Sequence, residues 1–231
     1  RGMETTGGST AKRAAAKAGD TAPRFDDDFA AKLEELLIWR RDVRRFRPDP
    51  LPDGVLDELL RLMTLAPSVG NSQPWRLVTV DDPERRSAIA ANFERCNRDA
   101  LAGYGGSRRG HYARLKLQGL KEAPVHLAVF VDHATEAGHG LGRRTMPETL
   151  DYSAVLAVHT LWLAARARGI GVGWLSILDP AAVASDLAVP EGWSFIAYLC
   201  LGYPLAEDPV PALERSGWQG REGLGGKVLR R

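Results

Sequence analysis

Apolar residues first recur at helical spacing as Phe29, Leu33, Leu36 and Leu37, behind three acids, Asp26, Asp27 and Asp28. Negative charge favours a helix N-terminus, so a helix is predicted from there to about Arg40. A second helix is predicted over about 52–65, with Val55, Leu56, Leu59, Leu60 and Met63 on its apolar face, stopping at Ala66-Pro67. Helical patterns return at about 83–101 and 111–121. The glycine-rich stretch 103–110 between them reads as a flexible lid. Thr145 and Glu148 have the spacing of a capping box, ahead of a long apolar helix over about 147–168 that Gly169 closes. Runs of strand length lie at 76–80, 125–131, 172–177 and 195–201, with a short helix at about 180–188. Helices flanking non-consecutive strands imply a three-layer domain.

The 231 residues suit one domain with appendages. With 44% hydrophobic and 26% charged residues, the chain is of ordinary globular type, not disordered, collagen-like or coiled-coil. No apolar run reaches the ~18 residues needed to span a bilayer, so no membrane partner is expected. Two cysteines, Cys96 and Cys200, are too few for a disulfide scaffold, and a cytoplasmic address is the default. The net charge of +2 is unevenly placed. Residues 1–24 carry five basic and two acidic side chains, a surplus of +3, and read as a flexible extension. The remainder, 25–231, is close to neutral, which argues against a nucleic-acid surface. The segment from about 204 is rich in Pro and Gly and too long for a loop. It reads as an arm lying on another subunit or on the site.

Candidate chemistry concentrates in two places. Residues 40–47 hold five arginines around a single acid, Asp42. Guanidinium forks match phosphate oxygens, and several together neutralise a phosphate monoester, although a charge run can also be a solvated turn. Asp42 is then either an ion-pair partner or a functional group held ionised by its neighbours. The loop 67–75 offers hydroxyl and amide groups from Ser68, Asn71, Ser72 and Gln73, which either read a heterocycle edge or satisfy their own backbone. Gly169, Gly171 and Gly173 are not a dinucleotide fingerprint, because they end a helix and precede a strand. The five histidines lack ligand-like spacing, so no metal is expected. Trp162 and Trp174 lie in apolar runs and read as core.

Taken together, Arg40-Arg-Asp-Val-Arg44, Ala66-Pro-Ser-Val-Gly-Asn-Ser-Gln-Pro-Trp75, Gly173-Trp-Leu-Ser-Ile-Leu-Asp-Pro180 and Leu199-Cys-Leu-Gly-Tyr-Pro204 resemble the FMN-dependent nitroreductase superfamily. Asp42 within the arginine run, and Ser176, resemble its 5,6-dimethylbenzimidazole synthase branch. Gly217-Trp-Gln-Gly-Arg221 resembles the family's C-terminal region. The resemblance covers about residues 30–222.

It implies an α+β, three-layer fold with a central mixed sheet, and a homodimer with sites at the subunit interface. It implies that Arg40, Arg41 and Arg44 hold the ribityl phosphate of FMN, with Val43 in the same run and Arg221 as a further basic group. Pro67, Ser68, Asn71 and Gln73 would follow the isoalloxazine or ribityl chain, and Trp174, Leu175 and Ser176 the reactive ring. The implied reaction consumes reduced FMN with O2, releasing 5,6-dimethylbenzimidazole and erythrose 4-phosphate, with a separate NAD(P)H-dependent flavin reductase as supplier. Asp42 is the expected general acid/base, and Ser176 the second catalytic group. The alternatives are an NAD(P)H-dependent nitroreductase or flavin reductase on the same fold, and a flavin-binding module without chemistry.

Overall fold

A computed structural model describes residues 22–115 and 119–231. The expected flexible extension therefore lies almost wholly outside the described residues. Helix α1 (Asp27–Trp39) starts where the acids predict it, and the Asp26 carboxylate accepts from the Phe29 N–H at 2.9 Å. Its apolar face is not buried within the chain: Phe29, Leu33, Leu37 and Ile38 are all exposed.

Helix α2 (Val55–Met63) buries Leu59 and Met63. It is followed by a 3-10 turn at Val69–Asn71, strand β1 (Trp75–Thr79) and helix α3 (Pro83–Ala102). Helix α4 covers Gly106–Ala113, where a flexible lid was expected. Two glycines in eight residues hide it from pattern reading, but a buried Tyr112 anchors it. Strand β2 (Val125–Asp132), helix α5 (Thr149–Arg166), strand β3 (Gly171–Leu175), helix α6 (Pro180–Asp186), strand β4 (Trp193–Gly202) and helix α7 (Ala212–Arg215) complete the order. The expected capping box does not form. The Thr145 hydroxyl donates to the Gly142 carbonyl, and α5 begins a turn later. Its far end behaves as predicted: Gly169 adopts φ +69° and the Ile170 N–H reaches back to the Ala165 carbonyl at 2.9 Å.

The strands form one sheet in the order β1-β2-β4-β3, every neighbouring pair antiparallel. The expected mixed sheet is corrected accordingly: the parallel contact is an isolated bridge between Asp42 and Val172 at the β3 edge. Alternation along the strands divides the side chains between two cores. Leu127, Val129, Leu199 and Leu201 pack with Leu59, Met63, Val158 and Leu161 of α2 and α5. Ala128, Phe130, Tyr198 and Cys200 pack with Ile89, Phe93 and Val183 of α3 and α6. The result is three layers, helices–sheet–helices.

Candidate functional site

The arginine run leaves α1 and lies along the free edge of β3. The Val43 N–H donates to the Val172 carbonyl at 3.0 Å. Glycines make this approach possible. A Cβ on Gly171 would stand 2.6 Å from Val43 Cγ2, and one on Gly173 would overlap the Val43 carbonyl. Gly171 and Gly173 of β3 thus clear a seat for residues 42–46, while Phe46, buried, packs below.

That seat positions Asp42. Its Oδ1 accepts from the Trp174 N–H at 2.9 Å, and its Oδ2 is paired with the Arg44 guanidinium. Arg44 Nη2 donates to the Trp174 carbonyl at 2.9 Å, closing a small ring of contacts around the Trp174 backbone. Burial pushes the Asp42 carboxyl up from its ordinary value, against the lowering pull of Arg44, the Trp174 N–H and Arg40. Even so, 37% of its side-chain surface stays open, so the group can be reached.

Trp162 of α5 organises the other two arginines. Its indole N–H donates to the Arg41 carbonyl at 3.2 Å, and the Arg40 guanidinium lies 4.7 Å from its ring centroid. The core role expected for Trp162 and Trp174 is therefore only half of their work. Arg40 Nε is buried with no hydrogen-bond partner among the described residues. Arg41 Nε donates to the Pro209 carbonyl at 2.8 Å, tying the C-terminal segment to the cluster. Burial lowers the pKa of both Arg40 and Arg41, and the Arg221 charge lowers it further. Three guanidiniums that repel one another, one with an orphaned donor, fit a phosphate dianion.

A cavity of about 450 Å³ opens beside the run, lined by Arg41, Asp42, Val43, Arg44, Arg114 and Trp162 among others. A shallower one of about 380 Å³ includes Arg41 and Arg221. Pro67, Ser68, Asn71 and Gln73 do not line the cavity of about 450 Å³. Their loop is held elsewhere: the Val69 N–H donates to Ser153 Oγ at 3.0 Å, and the Gln73 N–H to Ser68 Oγ at 3.1 Å. Asn71 and Gln73 both adopt positive φ and are exposed. Leu175 is buried in the core and Ser176 is exposed just past β3. One chain thus joins the arginines, Asp42 and Trp174 to Arg221, and leaves the amide loop apart. Sequence reasoning missed Trp162 and Arg114, and the β3 glycines were the available signal for a close backbone approach.

Residues 37–203 match the family model described as Nitroreductase family. The chain is 59% identical to a 5,6-dimethylbenzimidazole synthase of Rhodospirillum rubrum over 87% of its own length and 95% of that protein. It is 50% identical to one of Rhodobacter capsulatus, covering 84% and 94%. Among solved structures, an iodotyrosine deiodinase bound to FMN and 3-iodo-L-tyrosine superposes with a TM-score of 0.66 at 26% identity, covering 86% of this chain and 97% of that one. A nitroreductase in complex with FMN from Desulfovibrio desulfuricans gives 0.58 at 26% identity, covering 86% and 96%. The seated arginine run, its aspartate and these likenesses agree: the chain belongs to the nitroreductase family, in the branch of the 5,6-dimethylbenzimidazole synthases.

Proposed function

We propose that this enzyme fragments reduced FMN with O2 to 5,6-dimethylbenzimidazole and erythrose 4-phosphate, the pyrimidine part of the isoalloxazine leaving as a further fragment. FMN is substrate here, supplying the electrons and the carbon skeleton. Arg40, Arg41 and Arg221 bind its phosphate, which carries a charge of ~−1.5 to −2. Arg44 braces Asp42, and Asp42 moves protons as ring bonds open and close. Burial raises the pKa of this carboxyl above its ordinary value, which favours its taking up a proton and so suits it to general acid/base work. The observation that carries this reading is Asp42 itself, an acid fixed on the Trp174 N–H at the mouth of an arginine-lined cavity.

Pro67, Ser68, Asn71 and Gln73 meet the flavin in this reading through a homodimer. The exposed apolar faces of α1 (Phe29, Leu33, Leu37) and α5 (Tyr152, Val155, Leu156) supply the surface for it. Residues 25–231 act as one domain, its arm from about 204 folding over the site, and Ser176 orients the reacting ring. A separate NAD(P)H-dependent flavin reductase delivers reduced FMN in the cytoplasm.

The test supplies FMN, a flavin reductase and NADPH in air and follows the products by liquid chromatography and mass spectrometry. Dimethylbenzimidazole with loss of flavin is expected. A reductase would oxidise NADPH itself and keep its flavin, and a binding module would return FMN unchanged. Either result rejects the proposal.

A further inference from the structure

A third cleft, of about 530 Å³, lies between α4 and the C-terminal segment. Its polar lining is Ser107, Arg108, His111 and Arg114 on one side, with Trp218 and Gln219 on the other. Arg108, His111 and Arg114 follow at intervals of three, so they share one side of the helix and its C-terminal cap. The lining includes no carboxylate. Among the described residues neither the Arg108 nor the Arg114 guanidinium makes an ion pair or a hydrogen bond. Other surface arginines of this chain do find acids: Arg166 pairs with Glu207, Arg168 with Glu58 and Arg215 with Asp208.

The opposite wall is held in place. The Trp218 ring meets Tyr104 at 5.6 Å, His111 at 5.4 Å and Tyr112 at 6.2 Å, each edge-on. This aromatic contact fixes the spacing between the cationic side and the Gln219 amide. The cleft also adjoins the arginine cavity, because Arg114 lines both.

We propose that this cleft is a second anion site, which takes a small phosphate monoester of sugar-phosphate size. Two unpaired guanidiniums, an imidazole, an amide and a hydroxyl match the acceptor oxygens of such a group. The inference deepens the proposed function and rests on it for the ligand: the sugar phosphate released beside Asp42 is handed past Arg114 to the cleft.

The experiment uses the full chain saturated with reduced FMN under anaerobic conditions, titrated with erythrose 4-phosphate and, separately, inorganic phosphate, by calorimetry. Saturable binding of the ester, one per chain, is expected, weakened at least tenfold by Arg108→Ala and partly restored by Arg108→Lys, with FMN affinity unchanged. No binding to the FMN-loaded chain overturns the proposal. So does binding that FMN displaces, which would place the ester in the FMN phosphate site, and so does binding indifferent to Arg108. Inorganic phosphate binding while the ester is refused overturns the assignment to a monoester. The readout is binding alone, so a chain that forms no dimethylbenzimidazole but still binds the ester would reject the proposed reaction and leave the cleft standing.

Discussion

Replacing Asp42 by Asn keeps the shape of the side chain and removes its charge. The amide oxygen can still accept from the Trp174 N–H, which lies 2.9 Å away in the parent. The amide nitrogen then faces the donors of Arg44, so that pairing is lost. A hydrogen bond to a charged partner contributes about 1.5–3 kcal/mol. Against it stands the burial that already disfavours the ionised carboxylate here. These oppose each other, and the net change in folding stability is expected to be within about 1 kcal/mol. FMN binding should be unchanged or tighter, since one negative charge beside the phosphate site is gone, a gain on the order of 1 kcal/mol. The rate should fall by roughly 10²–10⁴, the usual worth of a positioned acid/base. Flavin fluorescence quenching reads the affinity, and dimethylbenzimidazole formed per bound flavin reads the chemistry. A variant that releases FMN yet converts whatever flavin it holds at the parent rate would make Asp42 a brace for Arg44 and nothing more.

Arg40→Ala should weaken FMN by about 1.5–3 kcal/mol, roughly ten- to hundredfold, and leave riboflavin binding untouched. Equal losses for both flavins would remove Arg40 from the phosphate site. Gly173→Ala forces a methyl group against the Val43 carbonyl, so residues 42–46 must shift. Activity should collapse and stability fall by about 1–3 kcal/mol, read by thermal unfolding, and parental values in both would refute the seat. His126, buried against the Tyr198 hydroxyl at 2.9 Å, has its pKa lowered to about 4, mainly by burial. Its folded pKa lies below the unfolded value near 6.5. Its contribution is therefore present above pH ~6.5 and lost as pH falls toward 4, at about 1.4 kcal/mol per unit. Urea unfolding at pH 7, 6 and 5 should show that slope in the parent and a shallower one in His126→Gln; identical slopes would contradict it.

Much of the fold was legible because local chemistry and tertiary packing agree. Asp26 caps α1, Gly169 ends α5, and the apolar runs at 125–131 and 195–201 become β2 and β4. Legibility failed where packing overrides pattern. The glycines of α4 hide a helix that Tyr112 anchors, and Thr145 spends its hydroxyl on Gly142 instead of a cap. The Arg40–Arg44 run and Asp42 were visible as charge, and their link to Trp174 rests on the β3 glycines, whose role is a distance between two segments 130 residues apart. No spacing along one chain could reveal that. In the C-terminal segment, the Pro209 carbonyl accepts from Arg41 and Trp218 packs on α4, contacts that no local pattern foretells.

The sharpest distinction between flavin as substrate and flavin as cofactor is the origin of the benzimidazole carbon that bridges its two nitrogens. Reduced FMN labelled with ¹³C at the ribityl C1′ position is supplied in air, and the product is read by mass spectrometry. Dimethylbenzimidazole one mass unit heavier and unlabelled erythrose 4-phosphate are expected, with loss of both upon Asp42→Asn. Labelled flavin recovered intact, or unlabelled dimethylbenzimidazole, would contradict the proposed reaction.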